Sequence, residues 1–517
     1  MDLSDWIDRW AGFQPDKPAL LFEDRAITYA GFARHVGRTA AVLRDRLGVR
    51  HGDRVAWLGT NSPEALALLF ACARLGAIFL PLNWRLVPAE HRYLLNDAAP
   101  TALLVEPEFI AGTESILPDV APGHRLAVGG PRDGWQDWDA LLRATPVALS
   151  GPQGGAQSDP VVICYTSGTT GVPKGAVLTQ SVLFWNAVNS NHMHDLSSAD
   201  RVLTTLPIFH VGGLNIQTLP ALHAGATVIL HRKFDPGAVF DAIERHRATL
   251  TVLVPTQIRL MMEHPRWAEA DLSSLRCITT GSTLVPEALI RQVMERGVPL
   301  IQVYGSTETA PIAVYQRIPD AQRKLGSTGR PAVHCTVRLV DPMGGDVPPG
   351  ATGEILVRGP SVAHGYWNDE EGTWRAFRDG WFHTGDLAHA DPDGYLWMDG
   401  RRKDVIISGG ENVYPAVLEG ILAECPDIQE AAVVGRPDEH WGEVVVAVVV
   451  PRDPRRLTRE AVLALFQGRV ARYKHPREVV FVERLPRNAM GKLKKDEVRR
   501  LALATPAAEN AMEAPIP

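Results

Sequence analysis

Short apolar runs alternate along this chain with capped, helix-length segments, and that alternation restricts the fold more than any other feature. Arg54–Leu58 reads as a buried strand. Ser62 then offers a side-chain cap, Pro63 takes the first helical position, and Gly76 lies just past the end of the helix. Residues 77–82 read as the next strand. The same order returns as strand 226–231, helix 235–247 and strand 249–254, and again as strand 275–280, helix 286–296 and strand Leu300–Tyr304. Such alternation predicts an α/β fold, with parallel-rich sheets covered by helices. Ligands in these sheets bind beyond the carboxyl ends of the strands.

The pattern changes near residue 325. Short β-rich runs, 335–340 and 354–358, are separated by glycine and proline, and 343–353 (MGGDVPPGATG) is turn chemistry. Beyond 401 a compact α+β unit is expected, with helices at 414–425 and 460–473 and strands at 428–435, 442–450 and 478–483. The expected division is 1–400 as a large N-terminal domain, its 325–400 part a β-rich subdomain, then 401–403 as a connection and 404–501 as a small domain. The Ala-, Pro- and Glu-rich tail at 502–517 reads as disordered. At 517 residues the chain is too long for one ordinary domain, and 45% hydrophobic against 22% charged residues is the balance of a folded protein. A net charge of -6 argues against a general attraction to nucleic acid or anionic membrane. Five cysteines without a CxxC spacing fit a reducing compartment. The N-terminus has no signal-peptide pattern, and no apolar stretch reaches the roughly 20 residues that span a bilayer. A cytoplasmic protein is the expectation.

Chemistry enters at 161–175. The buried-strand run VVICY leads directly into TSGTTGVPKG, where seven of ten residues are Thr, Ser or Gly. Glycines let successive N–H groups converge on an anion, hydroxyls add donors, Lys174 adds a charge and Pro173 stiffens the turn. The spacing is not that of a Walker A loop. By itself the segment supports an anion-binding turn.

YTSGTTGVPKGAVLT resembles the signature of the adenylate-forming superfamily, which includes acyl-CoA synthetases, luciferases and peptide-synthetase adenylation domains. Four further matches follow in family order: YGSTE (304–308), TGD (384–386), GRRKD (400–404) and PRNAMGK (486–492). The resemblance implies an ATP-dependent acid–thiol ligase. A carboxylate attacks the α-phosphate of ATP to give acyl-adenylate and pyrophosphate, and a thiol, expected to be CoA, then displaces AMP. It also implies a mobile C-terminal domain that rotates between the two half-reactions.

On this resemblance Thr166, Ser167, Gly168, Thr169, Thr170, Gly171 and Lys174 hold the β- and γ-phosphates. Thr307 donates to the α-phosphate, and Glu308 helps hold Mg²⁺. Tyr304 stacks on adenine, Gly305 and Ser306 belong to the same motif, and Gly281 with Ser282 frames the ring. Asp386 accepts the ribose hydroxyls and Arg401 supports them. Lys403 is the hinge residue, and Gly410 leaves room for pantetheine. Lys492 stabilises the charge that develops during adenylation, whereas Lys494 and Lys495 read as a solvated face.

Two departures stand out. Gln180 occupies a position where the family commonly has histidine, which predicts altered packing without loss of activity. LPIFHVGG (206–213) resembles the acid-pocket motif of acyl-CoA ligases, with His210 near the acyl group. It lacks the acidic residue by which amino-acid-activating domains hold an amino group. Trp185, Asn186, Asn215, Thr256 and Gln257 are further pocket candidates. No basic residue can be placed there, which favours a fatty or an aryl, cinnamic-type monoacid over a diacid. Two alternatives stand beside the CoA ligase: an enzyme that loads a carrier protein, and a nucleotide sensor on the same fold. A homodimer is the expectation from commonness alone.

Overall fold

The computed structural model describes residues 2–146, 148–151, 153–166, 173–282, 285–408, 411–438, 441–470, 472–488 and 491–504, with the side chains of 411, 412 and 473 excepted. The described residues fall into two compact units. The first is drawn from Met1–Val285, Leu289–Arg338 and Leu356–Thr384, and the second from Pro286–Ala288, Leu339–Ile355 and Gly385–Pro517.

The first unit carries two large sheets. One has seven strands in the order Gln136–Asp137, His124–Ala127, Ala102–Val105, Arg54–Leu58, Ile78–Leu82, Pro160–Thr166 and Lys174–Thr179. The other has nine, in the order Arg330–Pro331, Val314–Tyr315, Leu300–Tyr304, Cys277–Gly281, Leu250–Val252, Arg201–Thr204, Thr227–Leu230, Pro18–Phe22 and Arg25–Thr28. Their interior pairings are parallel, and antiparallel pairs appear only toward the edges. The expected class of parallel-rich sheets with helices is observed.

Local chemistry explains the helices between the strands. In Pro63–Leu75 the Ser62 Oγ accepts a hydrogen bond from the Ala65 N–H at 3.1 Å, and Gly76 ends the helix at φ +68°. Every residue from Ala65 to Leu75 is buried, because apolar groups cover the whole circumference. Arg74 is the one charged member of that run. Its guanidinium reaches Ser4 Oγ at 2.9 Å and Asp8 at 2.8 Å, so the buried charge is paired. The predicted helix 235–247 is Pro236–His246, with the Asp235 carboxylate capping it and Arg247 at φ +50° stopping it.

In the second unit the apolar run of Gly442–Pro451 is buried on both faces of a sheet. Successive side chains point to opposite faces. Val445, Ala447 and Val449 pack with Leu418 and Leu422 of the helix Pro415–Ala423 and with Phe466. Val446, Val448 and Val450 pack with Val498 and Ala502 of the helix Lys495–Ala504. Ile428–Asp438 pairs antiparallel with this strand, and Glu478–Phe481 joins its other side in parallel.

Three expectations need correction. The helix expected at 460–473 is only Arg459–Ala464, since Gly468 sits at φ +71° and Arg472–Lys474 forms a separate 3₁₀ turn. The strand expected at 428–435 continues to Asp438, because the hairpin partner keeps pairing through Arg436↔Val444. Lys495 is not on a solvated face: its Nζ bonds Glu419 at 2.6 Å and the Val433 carbonyl at 3.0 Å. Lys494 does lie at the surface, paired with Glu497 one turn along. Most of the 502–517 tail, from 505 onward, is outside the described residues.

Candidate active site

The strand Pro160–Thr166 and the strand Lys174–Thr179 form an antiparallel hairpin in which Thr166 pairs with Lys174. The segment expected to bind an anion therefore begins and ends in two strands held in register by backbone pairing. Ser167, Gly168, Thr169, Thr170 and Gly171 lie outside the described residues. Lys174 is described in full. Its Nζ pairs with the Asp369 carboxylate at 2.7 Å and lies 5.1 Å from the centre of the Tyr366 ring. That partner holds the Asp369 carboxyl below its ordinary value, with the Gly372 N–H adding to the effect.

Tyr304 ends the strand Leu300–Tyr304, and the chain turns at once into the 3₁₀ segment Thr307–Thr309. The turn is tight. A Cβ at Gly305 would sit 1.7 Å from the Pro311 carbonyl oxygen, so no larger residue fits without moving the backbone. The Thr309 hydroxyl accepts from the Ser306 N–H at 2.9 Å and closes the turn. Thr307 and Glu308 are both buried as a result. Glu308 is not isolated: the Tyr366 hydroxyl donates to its Oε1 at 2.7 Å. Gly281 ends the neighbouring strand Cys277–Gly281, and Ser282 follows at φ +72°.

Tyr366 was not among the residues singled out from sequence. It belongs to a segment threaded along the hairpin, with the Val177 N–H bonding Gly365 O at 3.0 Å and the Trp367 N–H bonding Gly175 O at 2.7 Å. The Ala363 N–H bonds Glu308 O at 2.7 Å from the other side. Asp369 then caps the helix Glu370–Ala376 through the Gly372 N–H at 2.7 Å. A cavity of about 330 Å³ lies beside this segment, lined by Tyr93, Asp97, Lys174, Trp367, Asp369 and Arg375 among others. The only sequence signal was an aromatic–Trp–Asn–Asp run before a capped helix, which carries no chemistry until it is folded.

Among the described residues no group of three or more His, Cys, Asp or Glu side chains could hold a metal ion. Glu308 with neighbouring hydroxyl oxygens is nonetheless a suitable donor set for Mg²⁺. This hard cation takes few protein carboxylates and fills its shell with water and substrate phosphates.

Asp386 and Arg401 lie in the second unit as directly opposed residues of the strands Trp381–Ala390 and Leu396–Arg401, with Arg401 Nε 2.8 Å from Asp386 Oδ1. Asp386 is buried and Arg401 exposed. Lys403 sits in the 3₁₀ turn Arg402–Asp404, where its carbonyl accepts from Arg499 at 3.3 Å. Gly410 lies outside the described residues. Lys492 is exposed. The Lys492 N–H donates to Asn488 Oδ1 at 2.9 Å, Lys492 O accepts from the Asn488 N–H at 2.8 Å, and Gly491 takes φ +77°.

The acid-pocket candidates divide by what they already bind. His210 caps the short helix Val211–Gly213 by accepting from the Gly212 N–H on Nδ1 at 3.1 Å, so its neutral ring carries the proton on Nε2. Asn186 donates to Asn215 O at 2.7 Å and accepts from the Ile312 N–H at 3.3 Å, which ties three segments together. The Asn215 amide is fully buried, and neither of its polar atoms has a hydrogen-bond partner among the described residues. Trp185 lies 4.9 Å from the His334 ring. Gln257 accepts from the Val254 N–H at 3.3 Å at a helix start, next to an exposed Thr256.

Gln180 has a defined packing role. Its Oε1 accepts from the Leu3 N–H at 2.7 Å and its Nε2 donates to Ala73 O at 2.9 Å. Gln180→Ala removes the acceptor of the buried Leu3 N–H and one of two donors to Ala73 O, which also accepts from the Gly76 N–H at 3.4 Å. The expected result is a stability loss of about 1–3 kcal/mol in urea denaturation, with ligase activity kept at low temperature.

The sequence matches the model of the AMP-binding enzyme family over residues 7–367 and that of the AMP-binding enzyme C-terminal domain over residues 417–492. It is 60% identical over 502 residues to the indoleacetate–CoA ligase of Aromatoleum aromaticum, covering 97% of this chain and 98% of that protein. It is 46% identical over 500 residues to a feruloyl-CoA synthase of an Amycolatopsis species, covering 96% and 98%. The fold is similar to the crystal structure of the anthranilate CoA ligase AuaEII in complex with anthranoyl-AMP, with a TM-score of 0.90, 30% identity and 98% of each chain covered.

Proposed function

This chain belongs to the AMP-binding enzyme family, and from that premise we propose that it activates an aryl-substituted monocarboxylic acid of the arylacetic or cinnamic type. The reaction class itself is that of an AMP-forming acid–CoA ligase working through an acyl-adenylate, with ATP, Mg²⁺ and CoA. The observation that carries the acid class is the 60% identity, over nearly the whole chain, to a ligase named for indoleacetate. The absence of a carboxylate from LPIFHVGG supports a substrate without an ammonium group.

The residues divide the work by charge. Adenylation brings a carboxylate toward a polyanion, so cations and N–H donors must offset the repulsion. Lys174 and the hairpin turn take the distal phosphates, and Thr307 donates at the α-phosphate. Glu308 holds Mg²⁺, which when bound neutralises phosphate charge. Asp386 accepts from the ribose, with its carboxylate oriented by Arg401. Tyr304, Gly281 and Ser282 frame adenine. Lys492 supplies the positive charge at the reacting carboxylate, and Lys403 lies at the hinge. His210 offers an Nε2–H toward the acyl group, since its Nδ1 is occupied. The domain division at 401–403 belongs to the same proposal, as do a cytoplasmic setting and a homodimer. No described helix is long and apolar enough to cross a membrane.

A coupled pyrophosphate assay over a panel of acids with CoA tests the substrate class. Arylacetic or hydroxycinnamic acids are expected to give kcat/KM values at least about 10-fold above those for octanoate and malonate, a margin that a shape-matched apolar pocket supplies. Equal rates for octanoate would overturn the aryl assignment. Turnover only with a phosphopantetheinyl carrier protein would replace CoA as acceptor.

A further inference from the structure

Tyr366 touches both charged groups that the proposed reaction places at the triphosphate. Its hydroxyl donates to Glu308 Oε1 at 2.7 Å, and its ring lies 5.1 Å beneath Lys174 Nζ. Three contacts fix this residue between them. The backbone of Tyr366 bridges to Ala176 in the hairpin, and its N–H donates to the Thr373 hydroxyl at 2.9 Å. Phe377 packs against one edge at 5.8 Å between centroids. Asp369, three residues on, holds Lys174 at 2.7 Å. One short segment thus fixes the lysine at the end of the phosphate turn and the buried carboxylate of the 3₁₀ turn.

We propose that Tyr366 is a positioning residue for adenylation, one that orients the Glu308 carboxylate toward Mg²⁺ while its ring holds Lys174 at the phosphate turn. This rests on the reading that Glu308 holds the metal. A carboxylate has two oxygens, and a hydrogen bond to Oε1 restricts rotation about the terminal bond and would leave Oε2 available to a bound Mg²⁺. Groups that orient a metal ligand in this way contribute about 10–100-fold to metal affinity or activity.

Tyr366→Phe removes the hydroxyl and keeps the ring. The experiment measures ATP binding by calorimetry, with and without Mg²⁺, and the Mg²⁺ dependence of acyl-adenylate formation. Glu308→Gln is measured in parallel, and melting temperature serves as the check on folding. The expected result for Tyr366→Phe is a Mg²⁺ requirement raised about 10-fold, unchanged binding of metal-free ATP, and partial recovery of rate at high Mg²⁺. A wild-type Mg²⁺ dependence in Tyr366→Phe, while Glu308→Gln loses it, overturns the role of Tyr366. A wild-type Mg²⁺ dependence in Glu308→Gln overturns the metal assignment on which it rests. A Tyr366→Leu variant isolates the ring: it is expected to weaken metal-free ATP binding as well, and unchanged binding there removes the link to Lys174.

Discussion

Lys492→Ala is expected to lower acyl-adenylate formation by about 10²–10³-fold, the range for removal of one preorganised charge or donor at a developing negative charge. Nucleotide binding is expected to survive, because the residues proposed to hold the nucleotide, Lys174, Tyr304 and Asp386 among them, are untouched. Lys492 is exposed, and the turn that presents it is closed by backbone and Asn488 hydrogen bonds and by Arg487, which donates to Gly491 O at 2.8 Å and pairs with Glu430 at 2.8 Å. Truncation at Cβ leaves all of these in place. Pre-steady-state measurement of acyl-AMP, beside ATP binding by calorimetry, checks both halves. Adenylation at the wild-type rate would remove Lys492 from the chemistry, and loss of ATP binding would make it a binding residue instead.

Gly305→Ala is expected to cost about 1–3 kcal/mol of stability and to slow adenylation by about 10²-fold, the penalty that an ångström of misplacement can bring. The added Cβ would meet Pro311 O at 1.7 Å and Thr309 Oγ1 at 2.7 Å, and the carbonyl cannot swing away as a flexible side chain would. Relief requires the backbone to part, and the segment that moves carries Thr307 and Glu308. The Tyr366–Glu308 hydrogen bond and the Ala363–Glu308 backbone bond are then strained together. Urea denaturation and adenylation kinetics on the folded fraction separate the two effects. A variant as stable and as fast as the parent would show that this turn tolerates a side chain.

Much of the architecture could be read in advance because its signals are local. The helix Pro63–Leu75 begins and ends where Ser62, Pro63 and Gly76 place it, and the strands at Arg54–Leu58 and Leu300–Tyr304 fall where the apolar runs lie. Capping and burial of a short run depend on residues within a few positions of each other. What was missed depends on distant partners. Pro18–Phe22 enters the nine-stranded sheet beside Thr227–Leu230, about two hundred positions away, and nothing near Pro18 announces that pairing. Lys174–Thr179 is a strand because it pairs back on Pro160–Thr166, a pairing that no local signal in the Ser/Thr/Gly segment marks. Lys495 looked solvated in a KLKK run, yet Glu419 and Val433 O take its charge inward.

The site follows the same division. The order and spacing of its motifs, from the Ser/Thr/Gly turn to Lys492, were enough to identify the family and the reaction class, because phosphate binding demands particular residue types in contiguous stretches. Contiguity is a property of sequence. Only the tertiary structure decided that Lys174 is held by Asp369, that Glu308 is held by Tyr366, and that His210 spends Nδ1 on a cap. Those contacts join residues up to 195 positions apart, and each depends on two backbones approaching within hydrogen-bond reach, which no stretch of sequence encodes alone.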